Sequence, residues 1–420
     1  MKRLLVGLIL VVFTVFAFAK VNFGSTQMTP AAEREFMIRF LADFSKRSGI
    51  EIEFLNFEYT DLLNRVEAEQ KAGRIVLNLI ADLQSGLNTM GSNGFLTDLS
   101  NVKFEGKTFV PTFEKYTYVG KSKVFIPWLQ ATFVMAINKK AFEYLPRGLT
   151  QQDVINGTDK WTYDTLLEWA RNLQERTRQP QLGFPLGPRG LWHRFLHGHI
   201  YPSYTGAQAV KFDSVKAIDM WNYLRELFRY VHPACTTWDN MDQPLLRGEV
   251  MIAWDHTARI KQAIIEKPND FVVVPVPRGP MGRGYIIVLA GLSIPKGADM
   301  TEPLKVMDFL TSPEAQTAVL ENVGFFPVVQ EALGRIPEGG LKILAQGVVN
   351  QSSAADSIVC FIPGLGAKGG EFNETYRQAF ARIVLNREDP AKVIVELGEK
   401  VRQLFKEVKA PLPEPDASLF

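Results

Sequence analysis

The chain has 420 residues, of which 46% are hydrophobic and 22% charged, so it can form two domains and bury a sizeable core. Its 47 basic and 45 acidic residues give a formal net charge of +2, which disfavours nucleic-acid or anionic-membrane binding driven by charge. Two cysteines, Cys235 and Cys360, are too few for a disulfide scaffold or a tetrahedral cysteine metal site. The sequence is compatible both with one disulfide between these cysteines and with two separate thiols.

The first residues have the pattern of a secretory signal peptide, which we assign to residues 1–19. Lys2 and Arg3 precede an uncharged apolar run over residues 4–18, and Ala19 ends a small-x-small cleavage pattern. The alternative is an uncleaved anchor, but the run is shorter than the ~20 residues of a membrane-spanning helix. No cysteine follows the run, so we expect a periplasmic mature chain without a lipid anchor.

The mature chain begins with alternating strand and helix patterns. Residues 21–23 favour a strand, and Pro30 favours the first turn of a helix that ends at Gly49. Apolar and acidic residues alternate over 50–54, which predicts a strand. A second amphipathic helix then leads to a third strand at 75–80. This βαβαβ order predicts a parallel sheet covered by helices.

Three later segments predict crossings between two lobes. Residues 123–138 and 271–284 are long extended runs interrupted by proline, which suits strands that leave one sheet and enter another. A strand at 285–294 and two helices follow, and residues 324–327 break the pattern a third time. We therefore expect an α/β fold with two lobes, each a mainly parallel sheet flanked by helices. The expected lobe boundaries are 20–127 with 277–326 for lobe 1, and 128–276 with 327–420 for lobe 2.

Eight segments carry a family resemblance through their order and spacing. They are FSKRSGIEIEF, EYTDLLNRVEAEQKAG, GFLTDLS, IPWLQATFVMAINKKAFE, WTYDTLLEWARNL, LLRGEVMIAWD, VVPVPRGPMGRG and FLTSPEAQTAVLENVGFFPV. Together they resemble the extracellular solute-binding proteins of the maltose-binding type, the sugar-capturing components of ABC importers. The chain departs from the family at residues 74–78, which lack its usual Pro-Asp, and at Phe23, which replaces its usual Trp.

The resemblance implies a periplasmic binding protein fold whose lobes are joined by hinge crossings and close over one ligand. It implies a binding protein without a cofactor, and not an enzyme. The expected ligand is a carbohydrate or polyol, the expected partners are the permease subunits of an ABC transporter, and the expected state is a monomer. A secreted glycoside hydrolase is the alternative of another class, although nothing in the sequence fixes the separation of two carboxyl groups.

The tryptophans are candidate ligand contacts because the apolar face of a sugar ring stacks on an aromatic ring. Four of them lie in crossing strands, loops or strand ends: Trp128, Trp192, Trp238 and Trp254. The other three lie on helical patterns, and we expect them in the core: Trp161, Trp169 and Trp221.

A second set of candidates consists of residues that follow the parallel strands or border the crossing runs. We predict ligand contacts for Gln27, Tyr59, Asp82, Gln84, Gln130, Asp255, Arg283 and Gly291. Helix capping is the alternative for the polar residues. For Gly291, and for Gly364 in FIPGLGAKGG, a turn or a packing contact is the alternative to close approach of the ligand.

The segment RGLWHRFLHGH at 189–199 contributes two further candidates, Arg189 and His193. His193 and His197 have the i, i+4 spacing of a helical metal site, but no acidic third ligand lies nearby, so we predict no metal. The arginines of the segment would suit an anionic ligand such as a sugar or polyol phosphate. A solvated surface helix is the other interpretation.

Overall fold

The computed structural model describes residues 20–206, 212–408 and 410; the predicted signal peptide lies outside them. The strands are β1 Lys20–Ser25, β2 Glu51–Asn56, β3 Leu79–Leu83, β4 Tyr118–Val119, β5 Ser122–Lys123, β6 Ile126–Asn138, β7 Leu182–Gly183, β8 Ile252–His256, β9 Phe271–Val274, β10 Arg283–Ser293 and β11 Ser357–Phe361.

The helices alternate with these strands in the first part of the chain and dominate the last part. They are α1 Ala31–Ser48, α2 Tyr59–Ala72, α3 Gln84–Ser92, α4 Gln151–Asn156, α5 Tyr163–Thr177, α6 His193–Phe195, α7 Tyr201–Thr205, α8 Val215–Leu227, α9 Asp242–Leu246, α10 Lys261–Glu266, α11 Thr301–Leu310, α12 Pro313–Asn322, α13 Gln330–Leu333, α14 Gly340–Ser353, α15 Gly369–Phe380 and α16 Pro390–Val408.

The predicted βαβαβ unit is confirmed, because β1 pairs in parallel with both β2 and β3. Helix α1 ends at Gly49, whose φ of 73° is the left-handed conformation that glycine adopts without strain. The third strand lies later than the predicted 75–80. The Glu69 carboxylate accepts hydrogen bonds from the backbone N–H groups of Val76 and Leu77, so these groups cannot pair in the sheet.

Two long strands, β6 and β10, pair antiparallel with each other and run through the middle of the sheet. The sheet order is β2-β1-β3-β10-β6-β8-β7, with β11 beside β10 and β9 beside β6. The first residues of β6 pair with β10, whereas its later residues pair with β8 and β9. The run predicted as the second crossing, residues 271–284, contains β9, a turn at 279–282 and the start of β10.

The buried side chains form clusters on both sides of the middle of β6. Trp128 belongs to a cluster with β1, β3, α1 and α11, and Phe133 to one with β8, α5 and α8. We call the parts of the molecule around these clusters the first half and the second half. The three helical tryptophans are fully buried in the second half, as predicted. Cys235 is a free buried thiol, so the structure has no bridge between Cys235 and Cys360.

Candidate functional site

The carboxyl ends of parallel strands from the two halves face each other across the crossing strands. Leu83 at the end of β3 pairs with Ala290, which pairs with Leu129 of β6. From the other side, His256 at the end of β8 pairs with Phe133 of β6. Only residues 130–132 of β6 separate the two sets of strand ends. Open α/β sheets bind ligands beyond such carboxyl ends, so we define the space between them as the crevice.

The first half brings four predicted site residues to the crevice: Gln27, Tyr59, Asp82 and Gln84. The Gln27 side chain donates to the Thr26 hydroxyl at 3.0 Å, and that hydroxyl donates to Oδ1 of Asp82. Oδ2 of Asp82 is buried without a hydrogen-bond partner. Burial raises the pKa of Asp82 to about 7. The neutral form of this carboxyl is therefore available near neutral pH to donate a hydrogen bond to a ligand.

Asp82→Asn should change how stability depends on pH. The pKa of Asp82 in the folded protein is about 7, above the ordinary value of 3.8. Between pH 4 and pH 7 this carboxyl is therefore ionised mainly in the unfolded chain. The wild-type free energy of unfolding therefore falls as pH rises through this window, and the variant lacks that loss. The stability of Asp82→Asn relative to wild type should rise from pH 4 to pH 7, measured as urea midpoints in a pH series.

Asp98→Asn is the control for this comparison. Asp98 is exposed and its pKa is lowered by hydrogen bonds from Ser100, so its removal should not stabilise the protein as pH rises. Parallel pH curves for Asp82→Asn and wild type would show that Asp82 is ionised in the folded state.

In the second half, the buried aspartate of the crevice is Asp255. Its two carboxylate oxygens accept hydrogen bonds from the backbone N–H groups of Met241, at 3.0 Å, and His256, at 2.7 Å. Burial raises the pKa of Asp255 to about 8. The alternative role as a helix cap is filled instead by His256, whose Nδ1 accepts from the Ala258 N–H group.

The segment at 189–199 is not a solvated surface helix, so that interpretation is wrong. His193, His197 and His199 are 2%, 0% and 0% exposed. Residues 196–200 form a π-helical turn between α6 and α7, and this wider turn packs His199 against Phe195 and Trp254. Within the described ranges, no group of three or more His, Cys, Asp or Glu residues could hold a metal ion.

The remaining predicted contacts of the second half have aromatic or ionic partners. The Trp254 ring stacks on Phe133 with centroids 4.8 Å apart, and Trp192 packs against Phe380. Trp238 stacks on His232, and the Arg189 guanidinium pairs with Asp239 at 2.9 Å.

Four other predicted contacts lie in the crossing strands or near their ends. Trp128 is fully buried beside Phe23, and the Gln130 side chain donates to the Pro327 carbonyl at 2.8 Å. Arg283 is buried and donates to the carbonyl groups of Gly157 and Val276. A Cβ at Gly291 would lie 2.2 Å from the Phe125 ring. These residues have structural partners, and ligand contact by them stays a prediction.

The sequence did not predict how the halves touch at the crevice. The loop after β11 brings Gly364 against the backbone of Ser85, and a Cβ there would lie 2.6 Å from the Ser85 carbonyl oxygen. Gly366 packs against the Tyr59 ring, where a Cβ would lie 3.0 Å from two ring carbons. The gap lined by Ser85, Val288 and Ile362 is too narrow to admit a water molecule. The two halves are therefore closed on each other in this structure.

Comparisons with known proteins extend these observations. The model of a bacterial extracellular solute-binding protein family matches residues 30–317. A comparison with curated protein sequences found no match. The chain is similar to the solved structure of maltose-bound MalE3 from T. maritima, with 17% identity and a TM-score of 0.66, over 92% of this chain and 100% of that chain.

Two further solved structures are similar over almost their whole length. MalE from Xanthomonas citri has 14% identity and a TM-score of 0.71, with 93% of this chain and 98% of that chain covered. UgpB from Mycobacterium tuberculosis, in complex with glycerophosphocholine, has 17% identity and a TM-score of 0.65, with 93% and 99% covered. These likenesses confirm the predicted fold, the two-lobe α/β fold of periplasmic binding proteins.

Proposed function

Since this chain belongs to the bacterial extracellular solute-binding protein family, we propose that it captures a carbohydrate or polyol and delivers it to the permease subunits of an ABC importer. The family and the structural neighbours are binding proteins and not enzymes, so the glycoside hydrolase alternative is set aside. The titles of two neighbours name maltose and glycerophosphocholine as bound ligands, which supports a hydroxyl-rich ligand.

The observation that carries the proposal is the crevice, with one buried aspartate on each side. Asp82 and Asp255 both have raised pKa values because of burial, so either carboxyl can donate to or accept from a ligand hydroxyl. A ligand held at ~1 μM requires ~8 kcal/mol of net binding free energy. Several hydrogen bonds of ~1 kcal/mol each, with aromatic contacts, are of this order.

Hinge motion would give the ligand access to this crevice. We propose lobes of residues 20–127 with 277–326 and of residues 128–276 with 327–420, which separate by rotation about β6, the segment that joins β9 to β10, and residues 324–327. Closure removes water from the bound ligand and strengthens its hydrogen bonds. We further propose that the protein works as a periplasmic monomer. No described helix is both long enough and apolar enough to span a membrane.

A ligand screen tests this proposal. A sugar or polyol at one hundred times its Kd should stabilise the protein by ~2.7 kcal/mol, because ligand binds only the folded state. The measurements are the thermal midpoint and the tryptophan fluorescence of the mature protein, with mono-, di- and oligosaccharides and polyols. Chromatography of each mixture should show unchanged ligand. Absence of any response across the panel would contradict sugar or polyol binding, and appearance of products would contradict a binding role.

A further inference from the structure

Six basic side chains gather on the second-half side of the crevice. We call them the basic cluster: Arg194, Arg259, Arg377, His193, His197 and His256. The last residue of β8 is His256, the turn after this strand supplies Arg259, and the segment after β7 supplies His193, Arg194 and His197. Both strands end at the crevice, because they are parallel neighbours. Arg377 joins from α15 and contacts His193 at 3.1 Å.

The charges of the cluster lie close together. The Arg194 guanidinium lies 3.3 Å from Nε2 of His197. Burial, followed by the charges of Arg259 and Arg194, lowers the pKa of His256. Burial, followed by the charge of Arg377, lowers the pKa of Arg194 to about 10. An arginine with this pKa stays charged at neutral pH. The cluster therefore holds three like charges that repel one another.

No carboxylate of the described residues forms an ion pair with any of these three arginines. Asp239 pairs with Arg189 instead. Asp255 lies near Arg259, but burial raises its pKa to about 8, so it is mostly neutral at pH 7. Arg259 donates to the carbonyl groups of Arg189 and Asp239, and Arg377 donates to that of Gly190. These neutral carbonyl groups leave the net positive charge of the three half-buried arginines in place.

The histidines add a donor and no charge. Burial and the neighbouring arginines lower the pKa of His193 and His197 well below the ordinary value, so both rings are neutral. Arginine only donates hydrogen bonds, so the Arg377 contact makes Nδ1 of His193 an acceptor and leaves the proton on Nε2. That Nε2 group is buried without a hydrogen-bond partner. The cluster thus offers one buried donor that lacks an acceptor, beside three arginines whose side chains carry no anionic partner.

We propose that the basic cluster binds an oxyanion of the ligand, a phosphate ester or a carboxylate, so that the transported solute is an anionic sugar or polyol. This inference rests on the proposed function, whose hydroxyl contacts are Asp82 on the opposite face and Asp255 beside the cluster. Guanidinium groups donate two parallel hydrogen bonds to phosphate or carboxylate. An oxyanion would accept from the arginines and neutralise their mutual repulsion.

The test compares neutral and anionic members of matched ligand pairs. The pairs are glycerol with glycerol 3-phosphate, glucose with glucose 6-phosphate, and glucose with glucuronate; inorganic phosphate is added alone. Titration calorimetry of the mature protein at constant ionic strength should show at least tenfold tighter binding of an anionic member than of its neutral partner. The phosphate and glucuronate arms distinguish a phosphate ester from a carboxylate.

Three variants assign the effect to the cluster. Arg194→Gln should lower the affinity for the preferred anion by at least tenfold and change the affinity for its neutral partner by less than about twofold. Arg194→Lys should recover part of the loss, since it restores the charge without the planar fork. Arg229→Gln removes an equal charge from an exposed arginine on the surface of the second half and should change neither affinity. Circular dichroism verifies that each variant is folded.

Two outcomes would overturn the inference, and they differ from failure of the proposed function. Equal affinity for neutral and anionic partners would exclude the oxyanion site while leaving sugar binding intact. Equal effects of Arg194→Gln and Arg229→Gln on anion affinity would also exclude it. If neither these pairs nor any member of the wider sugar and polyol panel binds, the proposed function itself fails.

Discussion

Replacing Trp254 with alanine is expected to lower the free energy of unfolding by ~3–5 kcal/mol, the usual cost of deleting a large buried aromatic side chain. The Trp254 ring is fully buried and stacks on Phe133 with an interplanar angle of 7°. Phe195 meets it edge-on at 5.3 Å. Alanine leaves a cavity among these rigid rings, which cannot collapse to fill it. Urea unfolding followed by circular dichroism measures the loss.

Trp254→Phe is the matched variant. It keeps a ring on Phe133 and removes an indole Nε1 that is buried without a hydrogen-bond partner. Trp254→Phe should therefore lower the free energy of unfolding by less than half as much as Trp254→Ala. Ligand affinity measured well below the thermal midpoint separates packing from binding. A loss of stability below about 1 kcal/mol for Trp254→Ala would show that the indole is not part of the core.

Much of the fold could be predicted because its determinants are local. Helix α1 ends at Gly49, and the first three strands alternate with helices along the chain. The position of β3 could not be predicted, because it depends on the Glu69 side chain binding the backbone of residues 76 and 77. The sequence predicts one extended run over residues 271–284, whereas the structure divides it at a turn in which Gly279 and Gly282 exchange backbone hydrogen bonds.

The crevice residues of the first half could be predicted for a general reason. Parallel strands place their carboxyl ends at one edge of a sheet, so the residues that follow them, including Gln27 and Asp82, had to come together. In the second half the same rule covers only the residues at the ends of β7 and β8, such as Asp255. Arg377 and Gly364 come from the C-terminal part of the chain and reach the crevice through tertiary packing alone. The local sequence pattern of an aromatic residue at a strand end, such as Trp254, is the same whether its ring packs into the core or faces a ligand.

Gly364→Ala is expected to weaken ligand binding by about 5- to 150-fold, because it opposes closure of the two halves. A Cβ at this position would lie 2.6 Å from the carbonyl oxygen of Ser85 and 3.0 Å from the Gly86 nitrogen. Both are backbone atoms that cannot rotate away. Overpacking of this kind costs ~1–3 kcal/mol, and every 1.4 kcal/mol changes an affinity tenfold.

We expect the cost to fall on the closed arrangement alone, since the proposed rotation of the halves about the crossing strands would move Gly364 away from Ser85. The thermal midpoint of the unliganded protein should therefore change little, while small-angle scattering should show a larger radius of gyration. Gly369→Ala is the control, because a Cβ there meets no atom within 4 Å, although it lies five positions along the same chain segment. Wild-type affinity and an unchanged radius for Gly364→Ala would mean that ligand binding does not require the contact between Gly364 and Ser85.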